Sequence, residues 1–134
     1  MTNPVQPFRR QSQAHKRKGT GTLGYNGAYT AELYARAGVG VGTDGVVIAA
    51  VAGSCIRVLS YAVNGSAAGV ASITFNSKPA GAGAAISQLI SLGTNGGFGE
   101  SDNNGLFQTV VDEGLSATVG TNTTGVRVTY ILVD

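Results

Sequence analysis

Residues 44–65 read DGVVIAAVAGSCIRVLSYAVNG. Two dense apolar runs, 46–51 and 55–63, are separated by Ala52-Gly53-Ser54. Each is of strand length, rich in β-branched and aliphatic residues, and bounded by turn residues. They read as a pair of core strands joined as a hairpin. In the second run Ile56, Val58, Ser60 and Ala62 alternate with Arg57, Leu59, Tyr61 and Val63, and neither set is cleanly polar. A strand covered on both sides has that pattern, with one face in a sandwich core and the other against another subunit. Arg57, Leu59 and Tyr61 are therefore expected at a subunit contact.

Outward from this pair the chain keeps the same character. Residues 70–76, VASITFN, set Ile73 and Phe75 against Ser72, Thr74 and Asn76, a half-buried strand closed by Lys78-Pro79-Ala80-Gly81. Residues 84–92 fit a strand or a short helix, because Ile86, Leu89 and Ile90 also stand at helical spacing. The next stretch, GTNGGFGESDNNG, reads as a long polar loop. Residues 106–111 and 115–119 flank Asp112-Glu113-Gly114, which predicts a hairpin with Gly114 at positive φ. The last strand is the clearest, with Val126, Val128, Tyr130 and Leu132 on one face and Arg127, Thr129, Ile131 and Val133 on the other. Upstream, YTAELYAR alternates Ala31, Leu33 and Ala35 with Glu32, Tyr34 and Arg36; it reads as extended, with two helical turns as the alternative. Short strands at intervals of about ten residues with turn signals between them predict an all-β fold. A single sandwich or jelly roll of about eight strands matches the length.

The composition fits one domain and an assembly role. A chain of 134 residues at 43% hydrophobic can bury one core of its own. It holds 21 glycines against 3 prolines, so it is turn-rich without being a proline-rich linker. Charged residues are only 12%, which leaves a surface of small polar residues or one partly covered by partners. The net charge of +2 conceals a division. Arg9, Arg10, Lys16, Arg17 and Lys18 make the first eighteen residues +5, while four cations face seven acids in the rest, a net of −3. The chain divides on this basis into a basic, glycine-rich N-terminal arm, residues 1–42, and a sandwich domain, residues 43–134.

Chemistry-bearing motifs are sparse. The sequence matches G-x-G-x-x-G at 19–24 and 40–45, but neither match stands between a strand and a helix, as dinucleotide binding requires. His15 is the only histidine and lies in the arm, so triads and histidine-ligated metals lack a positioned imidazole. The acid pairs Glu100 with Asp102 and Asp112 with Glu113 sit in turns and read as solvated carboxylates. Asp102-Asn103-Asn104-Gly105 reads as an Asx turn, since it lacks the spaced ligands of a calcium loop. No cofactor, metal or catalytic residue is expected, and the chain reads as no enzyme. Cys55, the only cysteine, lies in an apolar run and reads as a small buried hydrophobe. No apolar run is long enough to span a bilayer, so a product made in the cytoplasm with no membrane partner is expected.

Function is therefore expected in the arm. Its five cations suit either an acidic protein surface, on which the arm would order, or the phosphates of nucleic acid. Phe8 beside Arg9 and Arg10, with Tyr25, Tyr29 and Tyr34 further on, supplies anchors that electrostatics alone does not need. A protein partner is the leading reading and nucleic acid the lesser one. Lys16, Arg17 and Lys18 complete the expected contact set with Arg57, Leu59 and Tyr61.

From about Asp44 to Val133 the chain resembles the small all-β decoration, or cement, proteins of tailed-bacteriophage heads. The residues that carry the likeness are VVIAAVAGSCIRVLSYAV, ASITFNS, NGGFGESDNNGLFQT, VDEGLSATV and GVRVTYILV. The resemblance implies a jelly-roll subunit that forms homotrimers at the local three-fold positions of the capsid surface. Such trimers bridge major capsid proteins and stiffen the shell against DNA pressure, and an N-terminal arm reaching across the shell would suit the basic segment. Two other classes fit less well: a coat protein with a genome-binding arm, and a head-fibre or tail knob for a receptor or glycan. The knob would need aromatic platforms, and the chain has no Trp.

Overall fold

The structure is a computed structural model that describes residues 21–22, 28–29, 32–122 and 124–134. The chain forms two compact units, 1–33 and 34–134. In the first, β1 (Gly21–Thr22) and β2 (Ala28–Tyr29) pair antiparallel, with Gly21 opposite Tyr29.

The remaining strands are β3 (Leu33–Val39), β4 (Gly42–Ile48), β5 (Cys55–Asn64), β6 (Ala71–Lys78), β7 (Ala84–Ala85), β8 (Ile90–Leu92), β9 (Gly97–Ser101), β10 (Phe107–Gln108), β11 (Gly114–Val119) and β12 (Thr124–Val133). They make two sheets. One runs β10-β5-β12-β3, with β9 also on β5; the other runs β4-β11-β6-β7, with β8 also on β6. Strands β9 and β10 share one side of β5, along 60–64 and 57–58, and β7 and β8 share one side of β6 in the same way. Each of these short pairs therefore fills one strand position, and the sandwich has eight.

The pairing of those eight positions is nested: β3 with β12, β4 with β11, β5 with β9 and β10, β6 with β7 and β8. A long antiparallel ladder rolled over on itself has this connectivity, and the closing contacts are β12 on β5 and β11 on β6. This is the jelly roll that the strand spacing predicts. Successive strands cross from sheet to sheet, and two hairpin expectations fail for that reason. Strand β4 belongs to the second sheet and β5 to the first, so residues 49–54 bridge the layers and Val46, on the edge strand β4, is 62% exposed. Likewise β10 and β11 lie in different sheets. The positive φ between them is carried by Asp112, at 67°, while Gly114 is buried at the head of β11. A Cβ on Gly114 would stand 2.7 Å from the Ile48 carbonyl oxygen. Turn residues announce a reversal of the chain, but they do not say which layer receives the next strand.

Other segments resolve simply. Residues 84–92 are two short strands and not a helix, and the expected polar loop at 93–105 contains β9. Cys55 is half-buried at the start of β5. Strand β3 lies inside the stretch that composition groups with the arm, and its Ala35 and Ala37 pack on the core while Tyr34 and Arg36 face out.

The core lies between the sheets. Phe75, Ile73, Leu115, Ile56, Val58, Val63, Val119 and Val128 have almost no accessible surface. Aromatic rings fill one side of it, with Phe75 5.1 Å from Tyr61 and 5.3 Å from Phe107 between centroids. Strand β12 alternates as read, with Val126, Val128, Tyr130 and Leu132 all toward the core.

Strand β5 does not alternate. Thr129 pairs with Ser60 but Tyr130 pairs with Val58, so Leu59 has no partner on β12 and forms a bulge. One extra residue changes the phase of everything beyond it. The inward set is Ile56 and Val58 before the bulge, then Tyr61 and Val63 after it. Tyr61 therefore does not share a face with Arg57, and its ring belongs to the core.

Candidate contact face

Outside the core, the first sheet turns a face to the surface that strands β3, β12, β5 and β9 build together. The outward positions of β3 are Tyr34, Arg36 and Gly38, and Tyr34 is 74% exposed. On β12, Arg127 projects between the buried Val126 and Val128, opposite Ala62 of β5. After the bulge the outward residues of β5 are Ser60 and Ala62, both small. The result is a shallow trough with a low floor. One depression of about 440 Å³ is lined by Arg36, Gly38, Ala62, Asn64, Gly125 and Arg127. A second, of about 350 Å³, runs from Tyr34 and Arg127 over Ser60 and Ala62 to Gly99 and Glu100.

The three arginines of the sandwich, Arg36, Arg57 and Arg127, are all on this sheet's outer side, and its single lysine, Lys78, lies elsewhere on β6. Arg57 is half-buried and its Nε donates to Gln108 Oε1 at 2.8 Å, so its fork is already oriented. Among the described residues Arg36 and Arg127 have no hydrogen-bond or ion-pair partner. Two planar guanidinium forks beside an exposed tyrosine, above a floor of glycine, alanine and serine, can donate bidentately to carboxylates and let an apolar surface approach closely. On the inner side of the same sheet, at its β9 edge, Glu100 stands opposite Tyr61 and its Oε1 accepts the Tyr61 hydroxyl at 2.5 Å. Burial, and then that carboxylate, hold the Tyr61 phenol well above its ordinary value.

A second polar cluster lies on the outer side of the other sheet. Asp44 Oδ2 accepts Gly83 N at 2.8 Å, and its Oδ1 accepts Asn76 Nδ2 at 2.9 Å and Ser116 Oγ at 3.1 Å. These donors, led by the Gly83 amide, hold the Asp44 carboxyl below its usual range although partial burial opposes them. The cluster ties β4, β11, β6 and the β6–β7 loop together and is structural.

The expected contact residues are distributed as follows. Phe8, Arg9, Arg10, Lys16, Arg17, Lys18 and Tyr25 lie outside the described residues, and Tyr29 lies in β2. Tyr34 stands on the trough and Arg57 is on the same outer side. Leu59 is 5% exposed yet outside the core cluster, and Tyr61 is inside it. Arg36 and Arg127 were not singled out from sequence. The signal was a charged residue at the outward position of two alternating strands, but nothing local shows that those strands are neighbours. At Asp102 the expected Asx turn is present, with Asn104 N donating to Oδ1 at 2.7 Å. No cluster of three metal-ligating side chains occurs among the described residues, and they contain no helix long and apolar enough to cross a membrane.

No protein-family model matches the chain, and no curated protein matches it. Among solved structures, it is similar to a chain of the acidic stable capsid structure of Helicobacter pylori bacteriophage KHP30. The two are 15% identical with a TM-score of 0.45, over 76% of this chain and 90% of that one.

Proposed function

We propose that this chain is a non-enzymatic decoration protein of a phage head, a jelly-roll body that self-associates as a trimer and bridges major capsid proteins on the shell surface. The observation that carries the proposal is the trough on the first sheet. Its exposed groups are tyrosine and arginine over a floor of small residues, and its lysines are none. Protein contact surfaces are enriched in Tyr and Arg and depleted in Lys, and such residues dominate their energetics. A surface built only to stay solvated would favour the opposite choice.

The basic arm, with Phe8, Arg9, Arg10, Lys16, Arg17 and Lys18, supplies the docking segment for an acidic region of the shell. The test is co-sedimentation with expanded phage heads lacking the protein. Full-length chain is expected to bind to saturation, and a version without residues 1–18 to keep its oligomeric state while binding at least tenfold more weakly. Equal binding by the truncated chain overturns the role of the arm. The +5 charge of the arm also supports a second reading, a coat protein whose arm holds genome. That reading requires salt-sensitive binding to DNA or RNA and assembly of the chain alone into closed shells.

A further inference from the structure

Charge in the sandwich is separated along the strands. Arg127 pairs with Ala62, near the end of the first sheet where Gly125 meets Asn64. Asp134 follows the far end of the same strand, where Val133 meets Cys55. Seven residues of β-strand put these two charges about 23 Å apart, more than two Debye lengths at physiological salt. Asp134 is not alone there. The β10–β11 loop brings Asp112 and Glu113 to the same end, bound to the β4–β5 loop through Gly53 N on Asp112 Oδ1 at 2.6 Å and Asp112 N on the Ser54 carbonyl at 3.0 Å. Ser54 Oγ in turn donates to Asp134 Oδ1 at 3.3 Å. Two cations are also towards this end: Lys78, whose ammonium is given to the Gly81 carbonyl, and Arg57, opposite Ile131, whose Nε is given to Gln108.

This acidic tip also exposes apolar surface. Val110 is 58% and Val111 44% exposed, beside the exposed Ala49, Ala50 and Ala52. The trough and the tip therefore complement one another in charge and in relief. Arg36, Arg127 and Tyr34 stand over a low floor at one end, and three acids surround a small aliphatic knob at the other. Within one copy they point to opposite ends and cannot meet.

We propose that the trough of one copy receives the acidic tip of a second copy, a head-to-tail contact in which Arg36 and Arg127 clasp carboxylates among Asp112, Glu113 and Asp134. The inference deepens the proposed self-association and rests on that reading. A head-to-tail contact uses two different patches, so it builds a closed ring when the rotation between copies closes and a filament when it does not. A ring is the form the trimer needs.

The experiment is the mass of the full-length chain by light scattering, with folding followed by circular dichroism. One variant carries Arg36→Glu and Arg127→Glu, a second Glu113→Arg and Asp134→Arg, and a third all four changes. The wild type is expected to be a closed oligomer that dissociates as salt rises. Each two-site variant should raise the dissociation constant about a hundredfold or more, as breaking desolvated charge pairs does. The four-site chain has the two charges exchanged and should regain the wild-type mass. Four results would each overturn the contact: a monomeric wild type, an oligomer indifferent to salt, two-site variants of unchanged mass, or a folded four-site chain that stays monomeric. Binding to phage heads is measured separately, so loss of the decoration reading with the contact intact is distinguishable from loss of the contact.

Discussion

Tyr61 shows how one side chain serves both layers of the sandwich. Its ring packs against Phe75 of the opposite sheet and Phe107 of its own, and its hydroxyl reaches Glu100 at the β9 edge of the core. Tyr61→Phe keeps the ring and loses one hydrogen bond, so urea denaturation should show a loss of about 1–2 kcal/mol. Tyr61→Ala should lose about 3–5 kcal/mol, as large buried rings do. The raised phenol also has a pH signature. Stability from a group whose folded pKa is raised is complete below its unfolded value and is lost as pH climbs beyond it. Wild type should therefore weaken above about pH 10, the free phenol value, and Tyr61→Phe should flatten that part of the curve.

Asp44 has the opposite sign. Its carboxyl is held low by Gly83 N, Ser116 and Asn76, so its contribution is complete above the ordinary aspartate range and is lost as pH falls through the lower folded value. Its backbone sits at φ 58°, which Asn tolerates better than Ala. Asp44→Asn should then cost less than Asp44→Ala, the latter about 1–3 kcal/mol, and both should remove the acid-side slope of the melting temperature.

At the scale of elements, the bulge at Leu59 decides which residues of β5 enter the core. Leu59→Ala keeps the phase and should cost about 2–5 kcal/mol, the usual range for a buried leucine. Deleting Leu59 should cost no more than that, because Val58 and Ser60 then become consecutive opposite Tyr130 and Thr129, the ladder alternates without a break, and Tyr61 and Val63 stay inward. A deletion variant that no longer folds, while Leu59→Ala does, would show that Leu59 is not the extra residue of the ladder. Gly114 belongs to the same scale. Its place between β11 and the β4–β5 loop leaves a Cβ only 2.7 Å from the Ile48 carbonyl oxygen and 3.0 Å from Ala50 N. Both are backbone atoms that cannot swing aside, so Gly114→Ala should destabilise by about 1–3 kcal/mol. Gly81→Ala, with open space and ordinary φ, should be near neutral. Thermal melts of the two side by side check this.

At the scale of the whole molecule, the sandwich carries its arginines on one outer face and most of its acids at one end or along the β9 edge. Such a distribution adds little to folding, since exposed ion pairs are weak. It adds much to the orientation of an encounter between charged partners. Association of the chain should accordingly slow as ionic strength rises, with the rate of association more affected than that of dissociation if the contacts lie at the rim. Stopped-flow light scattering over a salt series measures this directly.

The sequence by itself determined the strand character of most segments and the all-β class, because period-two alternation and turn residues are local properties. It also exposed the division between a basic arm and an acidic body. It determined the inward set of β12, where alternation is unbroken, and misread that of β5, where a bulge on the ladder inserts a residue that no local signal marks. The two expected hairpins failed for a related reason: sheet membership is a contact between residues far apart in the chain. Arg36 and Arg127 stand 91 positions apart and share a trough only because β3 lies beside β12. Only the tertiary structure could decide that, since pairing between the first and last strands of a rolled ladder is set by the burial of the whole core and not by either strand.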